Sequence, residues 1–231
     1  MKISSTVSVS SVARAATLAA ALTAAFGAHA QSAGTWQIRM GAIHIAPSVT
    51  SGDLSSPSIA GSKVDVKSDT QPGGGITYML TDHIALDVPV ALPFKHRIVG
   101  DGAVAGVGVL GTTKSLPASV FAQYRFGEAN AKFRPYVGGG LTYAKFFKER
   151  ATNRLSSITG GTPESPTSMS IKSKLAPTLI IGGVYSINER WFLEGTVGKT
   201  FIKTTTTLST GQTIKTRLNP TMVALSVGYR F

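Results

Sequence analysis

The chain contains no cysteine. That excludes a disulfide framework, a thiolate-held zinc or iron–sulfur centre, and a thiol nucleophile. Charge is scarce at 15% of residues, and acid is scarcer still, with 11 Asp and Glu against 23 Lys and Arg. Set beside 42% apolar residues, this composition excludes an intrinsically disordered chain. Past the N-terminal region there is no uninterrupted apolar run of the roughly 18 residues that a membrane-spanning helix needs. What is present is a basic chain of 231 residues with a formal net charge of +12, 25 glycines and 11 prolines. That length suits one large all-β domain better than two small ones.

The first thirty residues read as an address rather than as part of the fold. Lys2 and Arg14 precede an Ala-rich apolar stretch from Ala15 to Phe26, and Ala28-His29-Ala30 has the A-x-A form of a signal-peptidase site. The apolar stretch is too short to span a bilayer as a helix. The expectation is a cleaved secretory signal peptide over residues 1–30, with cutting between Ala30 and Gln31. An exported chain without an apolar helix is either soluble or meets a membrane as a β-barrel.

The rest of the chain alternates with the period of two that marks strands. Trp36, Ile38 and Met40 share one parity, and Gln37, Arg39 and Gly41 the other. Comparable runs occur at Ile76–Leu80, Ile84–Ala91, Leu116–Phe126, Arg134–Phe147, Leu175–Ile187, Trp191–Phe201 and Val223–Phe231. Eight strands follow, joined alternately by short and long connections. The short ones fall at Thr81-Asp82, Gly127–Lys132 and Asn188–Arg190. The long ones, about 47–62, 93–115, 148–173 and 203–215, are rich in Gly, Ser, Thr and Pro and read as loops. Tight turns at one end and extended loops at the other are the pattern of an outer-membrane barrel. The predicted fold is therefore all-β: an eight-stranded antiparallel transmembrane barrel over 31–231, with short periplasmic turns and long extracellular loops.

The last strand carries the sharpest local signal. Counting back from the terminal Phe231, every second residue is apolar or aromatic: Tyr229, Val227, Leu225, Val223. Trp36, Tyr78, Tyr124, Tyr143, Tyr185 and Trp191 fall near strand ends, where amphipathic rings suit a membrane–water interface. Opposite the bulky face stand Gln37, Arg39, Asp87, Ser119, Gln123, Arg125, Glu194, Ser226 and Arg230. A soluble lipocalin-like barrel would turn these residues outward, whereas a membrane barrel turns them into its lumen. The export signal and the aromatic girdles favour the membrane.

In order and spacing these residues resemble the outer membrane protein W (OmpW) family. The resemblance runs through Gly34-Thr35-Trp36-Gln37-Ile38-Arg39-Met40-Gly41-Ala42, Thr81-Asp82-His83-Ile84, Pro93-Phe94-Lys95-His96 and Gln123-Tyr124-Arg125-Phe126-Gly127. Its most specific stretch is Phe133-Arg134-Pro135-Tyr136-Val137-Gly138-Gly139-Gly140-Leu141-Thr142-Tyr143, and it ends at Gly228-Tyr229-Arg230-Phe231. The resemblance implies a Gram-negative outer-membrane barrel with a narrow, porin-like apolar channel for small hydrophobic molecules. It also implies that Val223, Leu225, Val227, Tyr229 and Phe231 form the signal read by the barrel-assembly machinery during insertion.

An eight-stranded barrel is just wide enough for side chains or one small ligand, which excludes a wide aqueous pore. Arg39, Asp87, Arg125, Glu194 and Arg230 lie on lumen parity near the periplasmic end and are expected to form an ionic network, since buried charges persist only when paired; it either only fills the small barrel as structure or closes that end. Cargo would then leave sideways into the bilayer. Above the network, Pro89, Ala91, Phe121, Ala176, Ile180, Gly198, Met222 and Ala224 form an expected apolar channel lining. The alternative is an envelope or surface-recognition barrel without transport.

The long connections carry Lys63, Lys95, His96, Arg97, Lys114, Lys148, Arg150, Arg154, Lys172, Lys203 and Lys215. These residues either suit the phosphates of lipopolysaccharide and other outer-membrane lipids or form a plain solvated loop surface. Nucleic acid is a poor partner, because no recognition motif accompanies the charge. No enzyme is expected: His44, His83 and His96 lack metal-ligand spacing and no G-x-S-x-G elbow occurs, although His96 and loop serines leave a lipid-modifying triad conceivable. No metal or cofactor is expected.

Overall fold

A computed structural model describes residues 31–231. The expected signal peptide, Ala30 included, lies outside the described residues. Eight strands close a barrel: β1 (Trp36–Ala46), β4 (Asp69–Met79), β5 (Ile84–Ala91), β7 (Val109–Arg125), β8 (Phe133–Ala151), β10 (Lys174–Ser186), β11 (Trp191–Thr200) and β14 (Thr221–Arg230). Each pairs antiparallel with its neighbours, and β14 returns to β1 in register from Gln37↔Arg230 to Ala46↔Thr221. Closure leaves no edge along that join, so the backbone polar groups there are satisfied inside the wall, as hydrocarbon surroundings require.

Alternation decides which side chains face lipid. Ile38, Met40, Leu86, Val120, Leu141, Leu179, Ile181, Val197, Leu225 and Val227 are all exposed on the outer wall, and Leu225 is 68% exposed. Aromatic residues ring the turn end: Trp36 lies 4.7 Å from Tyr78, and Trp191 and Phe231 each lie 5.1 Å from Tyr229. Glycine lets neighbouring elements close up in two places. A Cβ on Gly140 of β8 would strike the Val120 carbonyl of β7, and one on Gly228 would strike the Phe192 ring inside the lumen.

The short connections hold together by local chemistry. The Thr81 hydroxyl accepts from the N–H groups of His83 and Ile84, and Asn188 Oδ1 accepts from those of Arg190 and Trp191. The four long connections depart from expectation. They are ordered, not irregular. Residues 62–66 (β3) and 94–102 (β6) pair and extend β7, whose strand begins at Val109 rather than Leu116. Thr50–Ser51 (β2), Met169–Ile171 (β9), Lys203–Leu208 (β12) and Thr213–Arg217 (β13) form a separate four-stranded sheet above the barrel. A short helix, α1 (Asn153–Thr159), packs Leu155 against Leu110 and Leu208 beneath this cap. The physical reason is burial: Leu110, Leu155, Ile171, Leu208 and Ile214 cover one another instead of facing water.

The wall has one discontinuity. β5 pairs with β7 only from Ile84↔Tyr124 to Asp87↔Phe121, and β6 resumes pairing with β7 at Phe94↔Ser115. Between these points, Val88–Pro93 and Leu116–Val120 face each other unpaired. Pro89 and Pro117 stand in these stretches, each without an N–H, as suits strand edges rather than strand centres.

Candidate functional site

Near the turn end the lumen is filled by buried side chains. Arg39 donates from Nη1 to Asp87 Oδ1 (2.7 Å) and Thr77 Oγ1 (2.8 Å), and from Nη2 to Asp87 Oδ2 (3.0 Å). Its Nε lies 3.7 Å from Glu194 Oε2. Thr77 donates to Asp87 at 2.6 Å, and the Tyr136 hydroxyl donates to Glu194 Oε1 at 2.8 Å. Strands β1, β4, β5, β8 and β11 are thereby tied together across the bore. Buried ions need this density of partners, because desolvation would otherwise outweigh their attraction.

The five-member ionic network expected from sequence is corrected in membership. Arg39, Asp87 and Glu194 come together, but Arg125 and Arg230 make no ion pair among the described residues. Arg125 donates to the amide oxygens of Gln31 (2.8 Å), Gln37 (3.0 Å) and Gln123 (3.1 Å). Arg230 donates to Ser186 Oγ at 3.1 Å, reaches the carbonyls of Asn188 and Glu189, and stacks 4.7 Å over Phe192. Strand parity gave the face of these residues but not their partners. Five contributors were missed: Gln31, Thr77, Tyr136, Thr196, whose hydroxyl bonds that of Tyr136 at 2.6 Å, and Arg134. Arg134, fully buried, donates to the carbonyls of Gln31, Asp82, Arg125, Phe126 and Gly127 and fixes the turn end of β7 and β8. Its position next to the outward Phe133 was the available signal.

Above this plug lies a predominantly apolar cavity of about 160 Å³. Its wall combines barrel residues such as Ile43, Pro89, Ala91, Phe121 and Met222 with cap residues such as Leu110, Leu155 and Ile214. Pro89, Phe121 and Met222 also border a smaller recess just over the plug, Ile180 and Ala224 border only that recess, and Gly198 faces Met222 and Ile180. Ala176 packs instead with Ile202 and Leu218. The cavity also touches the unpaired seam on both sides, through Pro89, Val90 and Ala91 of β5 and Pro117 and Ser119 of β7. Val90 is 56% exposed on the outer wall and still borders the cavity.

His96 is not part of the charged loop surface that the sequence suggested. It is buried and lines the cavity. Its Nδ1 bonds the Lys67 carbonyl at 2.9 Å and its Nε2 the Ser115 hydroxyl at 3.2 Å. Burial pushes its pKa below the usual histidine range, against the pull of the Lys67 carbonyl and the nearby Asp69 charge. No group of three or more His, Asp or Glu able to hold a metal occurs among the described residues.

A closed eight-stranded barrel with an apolar outer band, aromatic girdle and plugged lumen is an outer-membrane protein. The profile of the OmpW family matches residues 32–231, and the chain belongs to that family. It is 34% identical to outer membrane protein W of Vibrio cholerae over 94% of this chain and 96% of that protein. It superposes on the crystal structure of OprG from Pseudomonas aeruginosa with a TM-score of 0.79 and 27% identity, covering 89% of this chain and 99% of that one. It is also 22% identical, over 85% of this chain and 88% of the other, to the dibenzothiophene metabolism operon protein PahQ of Pseudomonas aeruginosa.

Proposed function

We propose that the barrel passes small hydrophobic molecules inward across the outer leaflet, taking them into the apolar cavity and releasing them sideways through the β5–β7 seam into the bilayer. The observation that carries this reading is the meeting of cavity and seam above a closed lumen. An apolar solute in the cavity finds charged and amide side chains below it and an unpaired stretch of wall beside it. Crossing the plug would require moving past Arg39, Asp87 and Glu194, whose mutual pairing is costly to break. Crossing the seam breaks no backbone pairing, because none joins Val88–Pro93 to Leu116–Val120. The name of the PahQ relative, from an operon for metabolism of an apolar aromatic compound, is in keeping with such cargo.

The absence of native cysteine makes a clean test available. Continuing the β5–β7 register would set Val90 against Ala118. The double variant Val90→Cys/Ala118→Cys, oxidised, is expected to abolish the uptake of a medium-chain alkane by cells with intact lipopolysaccharide, and reduction is expected to restore it. Uptake that is indifferent to the cross-link would overturn lateral release. If the barrel folds and never accelerates uptake, the envelope or recognition role takes its place.

A further inference from the structure

The apolar cavity carries one continuous polar feature. The Ser119 hydroxyl bonds Thr142 at 2.9 Å, Thr142 bonds Thr178 at 2.8 Å, and Thr178 bonds Thr200 at 2.9 Å. The four side chains belong to β7, β8, β10 and β11, so the chain of hydroxyls runs as a belt across four consecutive strands. All four border the cavity. Three hydrogen bonds among four hydroxyls use three of the four protons and three of the eight lone-pair sites. One O–H and several lone pairs are left to face a solute. Such a chain polarises along its length, which strengthens the bond made by the free end.

We propose that this belt is a head-group subsite, and that the favoured cargo is a monopolar amphiphile: an apolar body bearing one uncharged hydrogen-bonding group such as a hydroxyl, aldehyde or ester. The proposal rests on the transport reading above and deepens it. Charge on the cargo is disfavoured by the cavity wall. The wall holds no carboxylate to receive an ammonium, and its one lysine, Lys63, faces Asp53 at 3.9 Å. His96 is held neutral by burial and occupied by Lys67 and Ser115. The belt also begins at the exit: continuing the β5–β7 register sets Ser119 opposite Pro89, within the unpaired seam. Its height agrees with the same class of cargo. Thr142 adjoins the outward Tyr143, and Thr200 the outward Phe201 and Lys199, the side chains that mark the outer membrane boundary. A head group leaving along the belt therefore enters the bilayer at interfacial depth, where a polar group is stable, with its chain free to turn into hydrocarbon.

The test compares initial uptake of labelled n-dodecane and 1-dodecanol by cells carrying equal amounts of folded barrel. Thr142→Val and Thr178→Val keep side-chain shape and remove one hydroxyl each. Each is expected to slow dodecanol uptake about five-fold, the worth of about one hydrogen bond, and to change dodecane uptake less than two-fold. Thr142→Ser and Thr178→Ser, which restore the hydroxyl, are expected to restore the dodecanol rate and so separate the role of the hydroxyl from any loss of folding. Equal slowing of both solutes, or no change in their ratio, overturns the head-group subsite while leaving hydrophobic transport standing. A wild-type barrel that accelerates dodecane and not dodecanol does the same. A barrel that accelerates neither overturns the transport reading and the subsite with it.

Discussion

Removing the Asp87 carboxylate leaves Arg39 buried with a single ionic partner, Glu194, at 3.7 Å. Loss of one member of a buried pair costs about 3–5 kcal/mol, because the remaining charge stays desolvated without its hydrogen-bonded partner. Asp87→Ala is expected to lower barrel stability by about that amount, measured by urea unfolding in phospholipid vesicles. Arg39→Met combined with Asp87→Ala and Glu194→Gln is expected to recover a large part of it, since no buried charge of the three is then left without its partner. Strictly additive losses would show that the three residues act independently. At this scale the sequence was half legible. Alternation from Trp36 and Ile84 placed Arg39 and Asp87 in the lumen. It could not show that Arg125 would be held by Gln31, Gln37 and Gln123, because parity names a face and partnership depends on where strands fall around the closed wall.

Among the elements, the barrel strands were legible and the cap was not. A strand with one face in lipid and one in the lumen shows a clean period of two, whereas the cap strands β9, β12 and β13 are short, and β12 and β13 are Thr-rich. Such segments carry turn-like composition even where they form strands. β6 is held to its surroundings by His96, whose ring bonds the Lys67 carbonyl and Ser115 of β7. Because burial lowers the pKa of His96 in the folded chain, the unfolded segment binds a proton that the folded one resists. The packing of β6 is therefore fully present above the ordinary histidine pKa of about 6.5 and weakens as pH falls below it. The Asp69 charge moderates the effect by favouring the protonated ring. Protection against hydrogen exchange across 94–102, taken relative to the intrinsic rate at each pH, is expected to fall between pH 7 and 5, and His96→Gln is expected to flatten that profile. Identical profiles for the two proteins would remove His96 as the cause.

For the whole molecule, the arrangement of plug, cavity and seam separates two routes that uptake alone cannot tell apart. Axial passage must go through the recess over the plug, bordered by Arg39, Asp87, Phe121, Ile180 and Ala224. Lateral passage leaves above it, between Pro89 and Ser119. Ala224→Leu adds bulk to that recess from β14, outside the two strands that edge the seam, at an overpacking cost of about 1–3 kcal/mol. With lateral release, Ala224→Leu is expected to leave alkane uptake within two-fold of wild type, while the oxidised Val90→Cys/Ala118→Cys barrel loses it. With axial passage the two results exchange places. The comparison works because the plug and the seam draw on different interactions. The plug is held by ion pairs and amide hydrogen bonds that resist opening together, whereas the seam is a stretch of wall in which two prolines and a missing ladder leave only side-chain contact between β5 and β7. The lateral route proposed above predicts that a solute too apolar to be solvated by Arg39 and Asp87, and too small to need the whole wall to part, meets its lowest barrier sideways.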